Sequence, residues 1–197
     1  MDGEKLTILT KNQIWNKLYA KKNKLVITPL LDDIQVGLAS VDLRLATSFI
    51  IFQSRRIRTI EPSEETDEKI RTYQEHIVFP YGGNIILQPN EFVLGCTLEY
   101  LKLPKDLLGY VLGRSSWGRL GLVIETSPVV QPCFSGVLTL ELTNLGTSPI
   151  SLNPGSRIAQ ISFHTSNEKE IMDCEKVNEK RKYSLGIYPE FSKIYTD

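Results

Sequence analysis

The sequence has no excess of charge of either sign. Among its 197 residues, 23 lysines and arginines balance 23 aspartates and glutamates. A chain with no net charge has no overall field that would attract it to nucleic acid or to an anionic membrane. We therefore predict neither partner, and any anionic ligand must be bound by a local cluster of hydrogen-bond donors.

Long hydrophobic runs are also missing. No stretch approaches the roughly 20 apolar residues that a membrane-spanning helix requires, and residues 1–10 lack the apolar segment of a signal peptide. The three cysteines, Cys96, Cys133 and Cys174, are odd in number and widely spaced, so they suggest no disulfide framework. These absences predict a cytoplasmic protein with reduced cysteines.

The motifs of several common enzyme classes are absent. Zinc-dependent nucleoside deaminases need a histidine or cysteine followed by C-x-x-C, with a glutamate nearby. Here His76 and His164 stand far apart and no C-x-x-C occurs, so we predict no zinc. There is also no G-x-x-x-x-G-K-[ST] loop, no G-x-G-x-x-G fingerprint and no G-x-S-x-G elbow, which removes the main support for the corresponding nucleotide-hydrolase, dinucleotide-binding and acyl-transfer mechanisms.

What is present indicates an all-β domain. Thr10 and Gln13 form a capping-box pattern that predicts one helix, to about Lys21. Short β-type runs then follow, separated by Gly, Pro and Asn turns, which is typical of a sandwich or barrel. These runs are LVIT at 25–28, SFIIF at 48–52, NIILQ at 84–88, EFVLGCTLE at 91–99, LLGYVL at 107–112, GVLTLELTN at 136–144 and RIAQISF at 157–163.

One charged segment, residues 53–74, interrupts the strand pattern. We interpret it as a long surface connection with one helix near residues 64–76. No internal repeat is visible, and the chain is long enough for one full core. We therefore predict a single domain, with a helical region at 1–24, a β-barrel at 25–165 and a C-terminal tail at 166–197.

The segment Gly113–Arg119 (GRSSWGR) concentrates two hydroxyl groups and two guanidinium groups. Hydroxyl and backbone N–H groups donate to phosphate oxygens, and arginine can bind them with two parallel hydrogen bonds. Glycine and serine are also ordinary turn residues. From the residues alone, a phosphate site and a solvated turn both remain open.

Glu141 lies within VLTLELTN, where alternation places Leu138, Leu140 and Leu142 on one face of a strand. Glu141 then shares the other face with Thr139 and Thr143. A partly buried carboxyl group has a raised pKa, as a general base at neutral pH requires. The alternative is a solvent-exposed sheet face, on which charged residues are common.

Phe134, in the turn-forming segment Val130–Gly136, offers two interpretations. An aromatic ring there can form a platform under a sugar or a base. It can equally belong to the hydrophobic core.

Taken in order, several segments resemble the dCTP deaminase branch of the dUTPase superfamily. The resemblance covers about 150 residues and rests on five ordered matches. They are SVDLRL at 40–45; GRSSWGRLG at 113–121; FSG at 134–136 followed by LEL at 140–142; PG at 154–155 with RIAQ at 157–160; and KY at 182–183 with PEFSK at 189–193.

The resemblance implies a distorted, jelly-roll-like β-barrel that forms a homotrimer with active sites between subunits. It implies a pyrimidine deoxynucleotide as substrate, dCTP above all, with Mg²⁺ bound through the triphosphate rather than by protein ligands. Glu141 is the implied catalytic carboxylate, assisted by Ser115 and by Arg119 from a neighbouring subunit. The other residues implied to bind substrate are Arg114, Ser116, Gln131, Phe134, Gln160, Lys182 and Tyr183.

The chain departs from the family pattern at three places. Gln131 stands where members usually carry aspartate, and an amide is a poor base, which counts against hydrolysis to dUMP. The loop 122–131 is one residue shorter than in familiar deaminases and carries Thr126-Ser127-Pro128. Gly186 replaces a glutamine that contacts phosphate in many deaminases.

The primary hypothesis is therefore deamination of dCTP to dUTP and ammonia. The alternatives are a dUTPase-type pyrophosphatase and a family member that binds a deoxynucleotide, in a regulatory role, without turnover.

Overall fold

A computed structural model gives the conformation of residues 7–53, 59–61, 66–166, 173–179 and 181–193. These ranges contain four short helices, one 3-10 turn at Asp33–Gln35 and fourteen strands. The helices are α1 (Lys11–Leu18), α2 (Asp67–Tyr73), α3 (Ser115–Gly118) and α4 (Cys174–Glu179). None of the helices in the described part of the chain is long and apolar enough to cross a membrane.

The strands are short, and each is bounded by turns. They are β1 (Val26–Thr28), β2 (Val41–Arg44), β3 (Ser48–Phe52), β4 (Gln74–Val78), β5 (Ile85–Leu87), β6 (Phe92–Cys96), β7 (Tyr100–Lys102), β8 (Leu107–Gly113), β9 (Leu122–Glu125), β10 (Val129–Val130), β11 (Ser135–Gly136), β12 (Thr139–Asn144), β13 (Ile150–Leu152) and β14 (Arg157–Thr165).

The strands pair antiparallel in four sheets. A five-stranded sheet has the order β4-β3-β6-β12-β9, and a four-stranded sheet has the order β10-β8-β14-β2. A three-stranded sheet (β1-β7-β11) and a two-stranded sheet (β13-β5) complete the set. The predicted mainly-β fold is therefore confirmed.

The core lies between the two larger sheets because alternate residues of their strands are apolar. In β12, Leu140 and Leu142 are fully buried, whereas Glu141 between them is exposed on the opposite face. Phe49 of β3 and Phe163 of β14 are the largest of the fully buried side chains. Fully burying one such side chain contributes about 1.5–3 kcal/mol, so this alternation supplies much of the driving force for folding.

Two helix boundaries differ from the sequence-based expectation. α1 ends at Leu18 rather than near Lys21, although the Gln13 side chain accepts the Thr10 N–H (2.9 Å) as predicted. The helix predicted near residues 64–76 is wrong after Tyr73, because residues 74–78 form β4. Pairing of β4 with the edge of β3 satisfies that backbone, which outweighs the helical pattern of the side chains. Residues 54–58 and 62–65 of that charged segment lie outside the described residues.

The cysteine prediction was also wrong. Cys133 and Cys174 form a disulfide with a Cα–Cα distance of 5.0 Å, although 41 positions separate them in sequence. The tail folds back onto the turn before β11, and sequence spacing does not reveal such a long-range approach. Cys96 remains a buried free thiol, and its burial raises its pKa to about 12.

A buried polar cluster connects β2 to the loop that precedes it. The fully buried Glu99 carboxylate accepts the Arg44 backbone N–H (2.8 Å) and the Gln35 side-chain amide (2.8 Å). The Arg44 guanidinium lies 3.3 Å from Glu99 and 2.9 Å from Asp32. Burial raises the pKa of Glu99, and the Arg44 hydrogen bonds and charge oppose that rise. The cluster holds the end of β2 against the chain that follows β6.

Replacing Glu99 with alanine is expected to lower the free energy of unfolding by about 3 kcal/mol, because it leaves the buried Arg44 and Gln35 without their shared acceptor. Chemical denaturation of the variant and the wild type measures the difference. The matched control is Glu68→Ala, an exposed glutamate of α2, which should change stability by less than about 0.5 kcal/mol. Equal losses in the two variants would contradict a stabilising role for the cluster.

Candidate functional site

A cleft of about 780 Å³ opens over the outer face of the five-stranded sheet. Phe52, Phe92 and Leu94 contribute apolar surface from β3 and β6, and the C-terminal segment between residues 181 and 192 provides a wall. The rings of Phe52 and Phe92 lie 5.0 Å apart. Pockets of this size, largely apolar with a few polar groups, are typical of small-molecule sites.

Glu141 lines this cleft from the middle of β12. Its neighbours Leu140 and Leu142 are anchored in the core, so the pleat of the strand directs the Glu141 side chain to the opposite side. The predicted division of this strand into a leucine face and a glutamate face is therefore confirmed.

The surroundings of Glu141 disfavour its charged form. Desolvation by the cleft raises its pKa, and the negative charge of Glu125 raises it further. Glu125 is the direct cross-strand partner of Glu141 in the β9–β12 pair. A carboxyl group with a raised pKa is a stronger base when ionised, so it can both accept a proton from water and return it.

A tight turn between β10 and β11 supplies the next part of the cleft. Gln131 and Phe134 both line it, and the Phe134 N–H donates to the Gln131 carbonyl (3.2 Å). Phe134 also packs against the hydrophobic core. The two interpretations of this aromatic ring are thus compatible, because the inner part of the ring packs inside while its remaining surface is available to a ligand.

The C-terminal segment pairs with the strand edge beside this turn. The Leu185 N–H donates to the Ser135 carbonyl (2.6 Å), and the Val137 N–H donates to the Gly186 carbonyl (2.9 Å). Gly136 has a φ of 147°, and a Cβ atom there would lie 3.2 Å from the Gly186 oxygen. Glycine at this position lets the tail approach closely.

Similarity to known proteins identifies the family of this chain. The sequence pattern of the family described as dCTP deaminase-like matches residues 8–166. The chain belongs to the dCTP deaminase-like family.

Named relatives support the same assignment. The chain is 45% identical over 193 residues to the dCTP deaminase of Haloarcula marismortui, covering 96% of both proteins. It is 40% identical over 182 residues to the "dCTP deaminase, dUMP-forming" of Methanobrevibacter smithii, covering 92% of this chain and 93% of that protein.

The dCTP deaminase-like fold also matches a solved structure, the 2'-deoxycytidine 5'-triphosphate deaminase of Agrobacterium tumefaciens. The TM-score is 0.62 at 26% identity. The match covers 82% of this chain and 49% of that one, so this chain spans about half of the solved protein.

The structure brings five of the residues expected from the sequence into one cleft. They are Gln131, Phe134, Glu141, Lys182 and Tyr183. Tyr183 is positioned by Lys193, whose backbone N–H donates to the Tyr183 hydroxyl (2.9 Å) and whose ammonium group lies 5.0 Å from the ring centroid.

The other expected residues, Arg114, Ser115, Ser116, Arg119 and Gln160, do not line that cleft. α3 carries both serines and ends just before β9, whose first residue, Leu122, pairs with Asn144. Asn144 is three residues along β12 from Glu141, which corresponds to about 10 Å. Within one chain, the serine and arginine segment therefore lies beyond the end of the cleft.

Arg114 and Gln160 also have partners of their own. The Arg114 guanidinium is paired with Asp42, which also lies 3.4 Å from Arg157. The Gln160 side chain accepts from the Ser40 hydroxyl (3.2 Å). These contacts fix the base of the GRSSWGR segment, and the Trp117 indole N–H adds a bond to the Arg157 carbonyl (2.9 Å). The remaining residues, Ser115, Ser116 and Arg119, are exposed.

Three charged residues were not among the site residues predicted from the sequence: Arg181 and Glu190, which line the cleft, and Glu125, the cross-strand partner of Glu141. Glu125 was not identified because residues 122–131 were interpreted as a loop. Its position directly across from Glu141 depends on the register between β9 and β12. Arg181 lies beside the Lys182-Tyr183 match and Glu190 lies within the PEFSK match, but only the folded tail brings their side chains to the cleft. Adjacency to Lys182-Tyr183 was the sole local signal for Arg181.

Replacing Glu125 with glutamine is expected to lower the pKa of Glu141, because it removes the adjacent negative charge. If ionised Glu141 is the base, activity falls as pH drops through this pKa, so the acidic limb of the kcat/KM profile should move to lower pH. Steady-state rates between pH 4 and about 9 test this. The control Glu68→Gln, outside the cleft, should leave the limb in place; an unmoved limb in Glu125→Gln would contradict the coupling.

Proposed function

We propose that this protein catalyses the hydrolytic deamination of dCTP to dUTP and ammonia, with Glu141 as the general acid and base. The observation that carries the proposal is a carboxyl group with a raised pKa, on a strand paired on both sides, in a cleft of nucleotide size. Membership of the dCTP deaminase-like family, and relatives named dCTP deaminase, support the choice of substrate.

The chemistry needs one group that moves protons in both directions. The Glu141 carboxylate takes a proton from water as the oxygen attacks C4 of cytosine, and N3 becomes protonated. The tetrahedral centre then collapses: the C4–N4 bond breaks, the amine leaves as ammonia, and the carbonyl of uracil forms. Protons relayed by Glu141 balance these steps, so the net reaction is dCTP plus water to dUTP plus ammonia.

The cleft provides surfaces for the rest of the nucleotide. Phe134 presents an aromatic face beside Gln131, which suits the deoxyribose. Lys182 and Tyr183 in the wall supply a cation and a hydroxyl group for phosphate oxygens.

We propose that dCTP binds as its Mg²⁺ complex. In the ranges that the structure describes, no three His, Cys, Asp or Glu side chains are grouped so as to hold a metal ion. The proposal therefore assigns the metal to the triphosphate oxygens, which are the ligands that Mg²⁺ prefers.

A second copy of the chain is needed to complete this site. Ser115, Ser116 and Arg119 are exposed and lie beyond the end of the Glu141 cleft. β9, which follows them, is the edge strand of its sheet, so a neighbouring subunit has access to this side. We propose a homotrimer in which one subunit contributes Glu141 and the next contributes the serine and arginine segment. Closed cyclic symmetry would then give three equivalent sites.

Replacing Glu141 with glutamine is expected to reduce kcat by about 10³-fold, because the amide keeps the size of the side chain but cannot accept the proton. Ammonia release from dCTP with Mg²⁺ measures the rate. Glu68→Gln on α2 makes the same chemical change outside the cleft and should retain wild-type turnover. Robust turnover by Glu141→Gln would refute the assigned role, whereas tight dCTP binding without turnover by the wild type would favour a regulatory binding protein.

A site shared between subunits predicts complementation between two inactive variants. Glu141→Gln and Arg119→Ala, co-expressed in equal amounts, should recover about one quarter of the wild-type sites, since half of the subunits supply each intact part. Each variant alone is the control, and sedimentation velocity should give the mass of a trimer. No recovery in verified mixed trimers would place both residues in the site of one chain.

A second product remains a candidate because the Methanobrevibacter relative is named dUMP-forming. Formation of dUMP requires a further attack of water on phosphate, releasing pyrophosphate. Gln131, in the cleft where the family pattern has aspartate, cannot serve as the base for that step. Mass analysis of the products decides: dUTP alone supports deamination, and dUMP with pyrophosphate supports the bifunctional reaction.

A further inference from the structure

Two contacts attach the C-terminal segment to the same turn of the cleft. Cys174, the first residue of α4, is disulfide-bonded to Cys133. Seven residues later, the Arg181 guanidinium donates to the carbonyl of Pro132 (2.6 Å). The anchored turn is the one that presents Gln131 and Phe134 to the cleft.

We propose that Cys133, Cys174 and Arg181 are positioning residues that clasp the tail in place, so that an intact disulfide raises substrate affinity. The inference rests on the proposed function, because it concerns how the same cleft binds its nucleotide. We infer that the disulfide acts through the turn and through the residues that follow, as does Arg181, whose side chain also lines the cleft.

The position of the clasp determines what it controls. Arg181 lines the cleft, and the next three tail residues, Lys182, Tyr183 and Ser184, line it as well. Beyond them, Leu185 and Gly186 are bonded to Ser135 and Val137. Residues 182–184 are therefore held at both ends, and the disulfide adds a covalent anchor to hydrogen bonds that could otherwise open.

The clasped state leaves room for a ligand. With the tail in place the cleft still has a volume of about 780 Å³, and the tail forms a wall rather than a plug. A tail that is already ordered does not lose conformational freedom when substrate binds, so preorganisation increases affinity. Without the disulfide, the tail would form the wall in only a fraction of the molecules. The apparent affinity for substrate would then be reduced in proportion to that fraction.

Arg181 has a second feature that fits this role. One of its guanidinium nitrogens, Nη1, is buried and has no hydrogen-bond partner among the residues that the structure describes. Burial also lowers the pKa of Arg181. A buried cation with an unsatisfied hydrogen-bond donor is held weakly by its own contacts. The disulfide between Cys133 and Cys174 therefore helps to keep Arg181 in position.

The test compares oxidised and reduced protein. Dithiothreitol transfers two electrons: the S–S bond breaks, Cys133 and Cys174 each take a proton and become thiols, and the reagent closes to its cyclic disulfide. Thiol titration under denaturing conditions should give one thiol before reduction and three after it, consistent with three cysteines and one disulfide.

On reduction, KM for Mg²⁺–dCTP should rise about tenfold while kcat changes less than about twofold, because tail binding is lost and Glu141 is untouched. Cys174→Ser without reductant should reproduce the reduced enzyme, and it leaves the turn sequence intact. The matched control is Cys96→Ala: this cysteine is buried and unpaired, so the variant should respond to reduction as the wild type does.

Trypsin provides a readout that does not depend on turnover. Cleavage after Lys176, Arg181 or Lys182 should be about tenfold faster in the reduced protein, because the tail opens more often. Arg181→Gln should raise KM more in the reduced protein than in the oxidised protein. In the oxidised variant the disulfide still attaches the tail to the turn, whereas in the reduced variant both attachments are lost.

The outcomes separate the two proposals. If the oxidised wild type releases no ammonia from dCTP, the proposed function is rejected. The clasp is then still tested by comparing the calorimetric affinity for dCTP and the trypsin cleavage rate in the oxidised and reduced proteins. Activity with equal KM and equal cleavage in both redox states would overturn the clasp. A lower KM after reduction would also overturn it, because the clasped tail would then obstruct the cleft.

Discussion

The pleat of β12 is the constraint on which the site depends. Leu140 and Leu142 are fully buried, and the backbone between them must direct Glu141 to the other face of the sheet. A shift of one residue in register would bury the carboxylate and expose the leucines, so core packing strongly resists it. The same leucines that stabilise the fold thereby hold the proposed catalytic group on a rigid strand.

The register of β12 also determines the electrostatics of the cleft. It pairs Glu141 with Glu125 on one side and with Leu94 on the other. One neighbour contributes like charge and the other contributes apolar surface, and both disfavour ionisation of Glu141. Burial in the cleft is the larger cause of the raised pKa of Glu141, and the negative charge of Glu125, placed there by strand pairing, raises that pKa further.

The cleft is built from two parts of the chain, the strands of the five-stranded sheet and the C-terminal segment. β3, β6 and β12 of the five-stranded sheet form the floor of the cleft, whereas residues 181–192 follow β14 in the chain and form a wall. Attachment of that tail beside Ser135 and Val137, with the disulfide to Cys133, brings polar groups to a surface that would otherwise be largely apolar. The serine and arginine segment at α3 belongs to a different side of the same chain, so the proposed site combines parts that no single strand or loop could carry.

Much of the fold was predictable because its signals are local. The short apolar run SFIIF predicted β3, and alternating leucines predicted the faces of β12. The resemblance of five segments identified the family and singled out Glu141. Prediction failed where a residue's partner is distant in sequence. Gln74–Val78 became a strand through pairing with β3, and Cys133 met Cys174 through folding of the tail.

The amino-acid sequence by itself determined the mainly-β class, the leucine and glutamate faces of β12 and the absence of zinc-deaminase motifs, because these depend on residue type and short-range periodicity. Only the tertiary structure decided that Glu125 opposes Glu141, that the tail forms a wall of its own cleft, and that the GRSSWGR segment lies outside it. Those facts depend on strand register and on contacts between residues far apart in the chain, which local patterns do not encode.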